Sequence, residues 1–267
     1  MPTTRIGDLD VYHEAQGTGE TILLVHGLGS STADWAPQVA ALSPHFHVVS
    51  YDVRGHGRTS KPPARYSVKQ FAEDAASLIE VLALGPVHVV GLSMGGMIGF
   101  QLAADRPDLV RSLVIVNSGP EMVLRRWRDR LGILQRRAIV RIMGMRAWGS
   151  VLADRLLPAR EHAALRTQFV ERWAHNDKGA YLRALRALVG WTVTDRLPRI
   201  TCPVLVVAAD HDYTPVAWKE QYTALMPNAR LAVVADSRHM MPIERPEAFH
   251  EVLLPFLLAQ RAARVVR

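Results

Sequence analysis

Two short runs in this chain are apolar at every position: Ile22-Leu23-Leu24-Val25 and Val204-Leu205-Val206-Val207. A strand that faces water on one side alternates apolar with polar side chains, so a run that is apolar throughout belongs to a strand covered on both faces. β-type runs recur at residues 21–26, 47–51, 87–92, 113–117, 204–209 and 231–234, and helical patterns separate them. This order predicts an α/β fold: a mostly parallel central sheet, flanked by helices and joined by right-handed crossovers. Ser67 with Gln70 three residues on predicts a helix start closed by a capping box, and Gly85 marks that helix's end.

The alternation stops between about Gly119 and Arg196, where apolar residues fall at helical spacing and no strand pattern appears. The 267 residues therefore read as one core with an inserted helical cap: core 1–118, cap 119–196, core 197–267. Within the cap, Leu124, Trp127, Leu131, Leu134, Ala138, Ile142 and Met145 share one helical stripe. The expectation is that the stripe rests on the core while Arg125, Arg126, Arg128, Arg136, Arg137 and Arg141 are solvated. Sharper alternatives are a lid that meets anionic lipid and a pocket suited to acidic substrates. Trp35, Trp127, Trp148, Trp173 and Trp191 could line an acyl pocket, but tryptophans pack cores as readily.

Net charge is +7, and it is localised: residues 121–199 hold 17 Lys/Arg against 7 Asp/Glu. Without a nucleic-acid-binding module or basic residues interleaved with stacking aromatics, this excess does not read as a nucleic-acid surface. The expected partner is a small-molecule substrate, with contact between the basic cap and a membrane surface a lesser option; oligomeric state is not legible. A lone cysteine, Cys202 beside Pro203, cannot form an internal disulfide and reads as a core residue. The first ten residues lack an apolar leader, and no run approaches the roughly 18 apolar residues of a membrane span, so a cytoplasmic location is expected.

The chemistry centres on Gly91-Leu92-Ser93-Met94-Gly95-Gly96, set between an apolar strand and a helical pattern. A G-x-S-x-G sequence in that context forms a tight strand-to-helix turn in which flanking side chains would clash, and it lifts the serine oxygen clear of the sheet. Ser93 is thus the candidate nucleophile, and it needs an imidazole base. Of the 11 histidines, His239 alone follows the last strand pattern at the expected carboxyl edge of the sheet. His88, His175 and His250 lie in a strand, the cap and the last helix and read as structural or surface residues. The imidazole needs a buried carboxylate, for which Asp210 and Asp212 both satisfy the chain order; spacing from the strand end favours Asp212, with Asp210 capping the turn. For a developing oxyanion, the backbone N–H groups of Met94 and Leu28 are the candidate donors, with Gly27 and Gly29 allowing close approach. His26 reads as support for that loop.

Together, His26-Gly27-Leu28-Gly29, Asp52-Val53-Arg54-Gly55-His56-Gly57, Gly91-Leu92-Ser93-Met94-Gly95-Gly96, Asp212 with Thr214-Pro215, and His239 with Glu244-Arg245-Pro246-Glu247 resemble the α/β-hydrolase superfamily. The likeness runs from Ile6 to about Leu258 and is weakest in the cap. Around Ser93 it is similar to 3-oxoadipate enol-lactonases and related esterases. Ala209 departs from the pattern, standing where relatives often carry glycine, and the Asp52–Gly57 bend reads as ion-paired and structural. The resemblance implies acyl transfer to water by Ser93, His239 and Asp212, expected on a carboxylic ester of a small or medium hydrophobic substrate. Alternatives are an enol-lactonase or a carbon–carbon bond hydrolase acting on an acidic substrate, a perhydrolase, and a non-catalytic ligand receptor. Serine rather than aspartate at position 93 argues against dehalogenase and epoxide-hydrolase chemistry. No metal or organic cofactor is expected, because the histidines lack zinc-protease spacing.

Overall fold

A computed structural model describes residues 3–262. Eight strands form one sheet in the order β1-β2-β4-β3-β5-β6-β7-β8. They are β1 (Thr3–Ile6), β2 (Leu9–Gln16), β3 (Thr21–Val25), β4 (His47–Tyr51), β5 (Val87–Leu92), β6 (Val110–Val116), β7 (Val204–Ala209) and β8 (Ala229–Val234). β1 pairs with β2 and β2 with β4 antiparallel; every pairing from β4 through β8 is parallel. The all-apolar runs occupy the middle of the sheet because successive side chains point to opposite faces. Leu23, Val25, Val89, Ile115 and Val206 enter one core cluster, while Ile22, Leu24, Val90, Val114 and Leu205 enter the other.

The helices are α1 (Ala36–Leu42), α2 (Val68–Val81), α3 (Met94–Asp105), α4 (Trp127–Leu156), α5 (Ala163–Ala174), α6 (Lys178–Leu188), α7 (Val216–Thr223), α8 (Met241–Glu244) and α9 (Pro246–Ala262). At the start of α2 the Ser67 hydroxyl accepts from Gln70 N–H at 3.0 Å, but the Gln70 side chain turns to Asp74, so only half of the expected box forms. Its end comes earlier than expected: Ala83, at φ 50, already turns left-handed and Leu84 N–H closes onto the Ile79 carbonyl at 3.0 Å, with Gly85, left-handed at φ 68, following it. No helix among the described residues is long and apolar enough to cross a membrane.

β1, at the edge of the sheet, and β2 beside it escaped the sequence patterns because they keep polar, partly exposed positions, as the sequence Leu9–Gln16 shows. β6 begins before the apolar run because Ser112 is buried against His88 and Arg111 pairs with Glu20. Between β6 and β7, helices α4 to α6 form a segment whose ends lie side by side, joined by a bridge between Glu121 and Thr192. The expected docking of the α4 stripe is overturned. Trp127, Leu134 and Ile142 are 68%, 57% and 83% exposed, while the buried positions are Val140, Met145, Gly149, Ala153 and Leu156. Gly144, at φ 86 and ψ −177, kinks α4 and breaks its helical phase, so the stripe before the kink faces away from the core. Arg136, expected in solvent, turns inward instead: its Nε donates to the Tyr181 hydroxyl at 2.5 Å and its guanidinium lies over Trp148.

Candidate active site

Ser93 stands between β5 and α3 with φ 54 and ψ −115, a left-handed backbone that costs a non-glycine residue about 1–3 kcal/mol. Four hydrogen bonds hold it there. Its N–H donates to the Val116 carbonyl at 3.0 Å, its carbonyl accepts from Gly96 and Met97 N–H at 2.9 and 3.1 Å, and the Ser118 hydroxyl donates to the same oxygen at 2.6 Å. The flanking glycines are sterically required: a Cβ on Gly91 would overlap the Gly95 carbonyl, and one on Gly95 would overlap the Val25 carbonyl of β3.

His239 follows β8 in the loop before α8, and Asp212 follows β7. Their side chains are buried, and His239 Nδ1 donates to Asp212 Oδ1 at 2.8 Å. A carboxylate can only accept, so Asp212 fixes the tautomer with the proton on Nδ1 and leaves Nε2 free to accept. Nε2 receives the Tyr213 hydroxyl at 3.0 Å, and the Tyr213 and His239 rings stack with centroids 4.3 Å apart. Tyr213 is 53% exposed as a residue, yet its hydroxyl end is withdrawn against His239. That burial, reinforced by the Asp212 charge, pushes the phenol up to about 12, so it stays a neutral donor. Asp210 is placed elsewhere: it accepts Asp236 and Ser237 N–H, each at 3.0 Å, and fixes the turn after β8. The structure therefore brings Asp212, not Asp210, to the imidazole.

Burial alone would raise the Asp212 carboxyl; the hydrogen bond and charge of His239, with the charge and hydrogen bond of Lys219, override it and bring the group down to about 2. Beside Ser93, a Cβ on Gly27 would sit 3.5 Å from the serine Cβ, so the loop carrying Leu28 borders Ser93. Among the described residues, neither Leu28 N–H nor Met94 N–H is taken by another group. His26 supports this loop as expected: Nδ1 donates to the Gly27 carbonyl at 2.8 Å and Nε2 accepts Val53 N–H at 3.0 Å. Asp52 ties the same region down by accepting Thr32 and Arg58 N–H, and Arg54 is ion-paired to Asp74 at 2.7 Å. A cavity of about 430 Å³, bordered by Gly29, Phe169, Trp173 and Asn176, lies beside this loop rather than over Ser93.

Two supporting residues were missed in the sequence. Asn117, buried at the end of β6 with φ 43, donates through Nδ2 to the Arg238 and His239 carbonyls at 3.0 and 3.1 Å and accepts Ala209 N–H at 2.8 Å. Ala209 sits there without positive φ, so the absent glycine does not alter the loop. Lys219 of α7 reaches Asp212 Oδ2 at 2.8 Å. A polar residue just past an apolar strand is the only hint for Asn117; nothing local marks Lys219.

Other candidates resolve as structural. His88 meets Ser112 at 2.8 Å, His250 meets Gln38 at 3.1 Å, and His175 bonds its own helix. Burial pushes the Cys202 thiol up to about 11, which removes it as a nucleophile. Among the described residues, Asp210, His211 and Asp236 bring ligand-type atoms within 4.8 Å of one another, but all three are exposed and the Asp210 oxygens are engaged by backbone.

This sheet order and the strand–Ser93–helix turn define a fold class that comparison with known proteins confirms. Residues 20–246 match the family model for the alpha/beta hydrolase fold, and the chain belongs to that family. The RutD protein of Caulobacter vibrioides, provisionally named a carbamate hydrolase, is 34% identical over 271 residues, covering 96% of this chain and 99% of its own. The crystal structure of an enol-lactonase from Burkholderia xenovorans superposes with a TM-score of 0.89 at 28% identity, covering 96% of this chain and all of that one. A hydrolase from Pseudomonas aeruginosa gives 0.87 at 27% identity, covering 96% and 97%. The protein is a hydrolase of this family.

Proposed function

We propose that the protein is a serine hydrolase that cleaves a carboxylic ester of a small or medium hydrophobic substrate through an acyl-enzyme on Ser93. One observation carries this reading: a buried Asp212–His239 pair at 2.8 Å leaves Nε2 as an acceptor, which the Tyr213 hydroxyl meets at 3.0 Å. Substrate entry displaces the Tyr213 hydroxyl from Nε2, which is the position the Ser93 proton must reach. Ser93 Oγ attacks the carbonyl carbon as its proton passes to Nε2, and Asp212 stabilises the imidazolium. The oxyanion is received by Leu28 and Met94 N–H, where losing one donor typically costs about a hundred- to a thousandfold in rate. Collapse expels the alcohol with the proton from Nε2, and water repeats the sequence on the acyl-enzyme. Residues 119–196 act as the cap that selects the acyl or alcohol group.

Lactone or carbamate cleavage is the second reading, favoured by the full-length likeness to RutD proteins and the close superposition of an enol-lactonase. Both bonds present a carbonyl to the same serine. The test is hydrolysis of p-nitrophenyl esters from acetate to palmitate, beside an enol-lactone and an aryl carbamate, by wild type and Ser93→Ala. Ester turnover that collapses in the variant supports the ester reading; turnover confined to the lactone or carbamate supports the second. Binding without sustained turnover on any of them makes the chain a receptor.

A further inference from the structure

Lys219 is a buried ammonium with an unusual address. Its side chain and that of Asp212 are both 0% exposed. An isolated ammonium is costly to bury, and an ammonium has three protons to satisfy. All three find partners: Asp212 Oδ2 at 2.8 Å, the Thr214 carbonyl at 2.7 Å and the Thr214 hydroxyl at 2.7 Å. The two oxygens of one carboxylate are thereby divided. Oδ1 accepts His239 Nδ1 at 2.8 Å and Tyr213 N–H at 2.9 Å, while Oδ2 accepts Lys219 and the Thr214 hydroxyl.

The other charged and titratable groups around this unit are accounted for. Tyr213 stacks on the imidazole, and Arg136 and Arg155 of α4 act on Tyr213 rather than on the carboxylate. Tyr222 of α7 donates to the Ser118 carbonyl at 2.8 Å. Arg238, next to the imidazole in sequence, is neutralised by Glu244 at 3.1 Å. Lys219 is therefore the one full charge among the described residues, besides the imidazole itself, in ion-pair contact with Asp212.

We infer that Lys219 is a positioning residue of the reaction that sets the strength of its base, by holding Asp212 in line with His239 and offsetting part of the charge that would stabilise the imidazolium. The inference rests on the serine-hydrolase reading. A carboxylate shared with an ammonium stabilises a protonated imidazole less than a lone carboxylate does.

The experiment is the pH dependence of kcat/KM for p-nitrophenyl acetate in wild type, Lys219→Met, Lys219→Gln, Lys219→Arg and Thr214→Val, with circular dichroism confirming the fold. An ammonium held on the same carboxylate as the imidazole, at the effective dielectric of a protein interior, implies an acid limb raised by about one to two pH units in the Met and Gln variants. Lys219→Arg keeps the charge and returns the limb to the wild-type position. Thr214→Val removes a donor to the same oxygen but leaves the ammonium, so its limb also stays near wild type. A limb that moves less than about 0.3 unit in folded neutral variants overturns the inference, since such a shift is under about 0.4 kcal/mol. So does a full-unit shift in Thr214→Val, which remains readable even if the neutral variants do not fold. Labelling of Ser93 by a fluorophosphonate separates the two levels. Labelled wild type with an unmoved limb removes the role of Lys219 alone; unlabelled, inactive wild type removes the hydrolase reading and this inference with it.

Discussion

Asn117 should govern both the stability of the molecule and the alignment of its reactive groups. Its side chain joins the end of β6 to the end of β7 and to the loop of His239 through three hydrogen bonds, two of them buried and one partly buried. Asn117→Ala leaves Ala209 N–H without its partner and removes the donor from two carbonyls, at about 1 kcal/mol each and more where no water can enter. It also forces alanine to φ 43, which adds about 1 kcal/mol. The sum is about 4 kcal/mol, and for a chain of this length that lowers the melting temperature by about 7 °C. With the His239 carbonyl released, misalignment of the imidazole should cost about 10- to 100-fold in kcat/KM below the melting range. Asn117→Gly isolates the hydrogen bonds, because glycine accepts positive φ freely; it should recover about 1 kcal/mol of stability and little of the activity. Calorimetry with ester kinetics at 20 °C below the transition checks both. An alanine variant that melts within about 1 °C of wild type, with kcat/KM within twofold, would refute the reasoning, since lost buried bonds cannot be that cheap.

Two further outcomes follow from groups near the site. Burial lowers His26 to about 4 and His56 to about 3, so both stay neutral in the fold while an unfolded chain takes up their protons below about 6.5. Stability should therefore fall as pH drops from about 6.5 towards 4, at about 2–3 kcal/mol per pH unit from this pair. Urea melts across that range test it, and His56→Asn, which can keep the donor to the Arg54 carbonyl, should flatten the slope by about half. Tyr213→Phe removes the hydroxyl that occupies Nε2. Since that bond is worth about 1 kcal/mol, kcat/KM should rise about two- to tenfold; a loss of a hundredfold would instead place the hydroxyl within the chemistry.

What the sequence disclosed was local. The turn around Ser93 is written in consecutive residues because its glycines are demanded by contacts of that turn itself, and the buried strands announce themselves by being apolar throughout. Asp212 and His239 could be placed because each follows a strand end, and the ambiguity with Asp210 was settled only by which carboxylate turns inward. Asn117 and Lys219 were not legible: Asn117 acts on residues about a hundred positions away, and an ammonium inside the protein has the same letter as one in water. The α4 stripe marks the limit of periodicity. Spacing showed that Trp127, Leu131, Leu134, Ala138 and Ile142 share a face, but not which way it points, and the kink at Gly144 turned it outward. The strands β1 and β2 were missed because a strand half in water carries too few apolar residues to stand out.

The central claim, that Ser93 is the nucleophile activated by His239 and Asp212, is tested most directly by reacting the protein with a fluorophosphonate and mapping the adduct by peptide mass spectrometry. The account predicts one adduct per chain, on the peptide containing Ser93, absent in Ser93→Ala and formed far more slowly in His239→Ala. No adduct, or one that persists in Ser93→Ala on another residue, would contradict it.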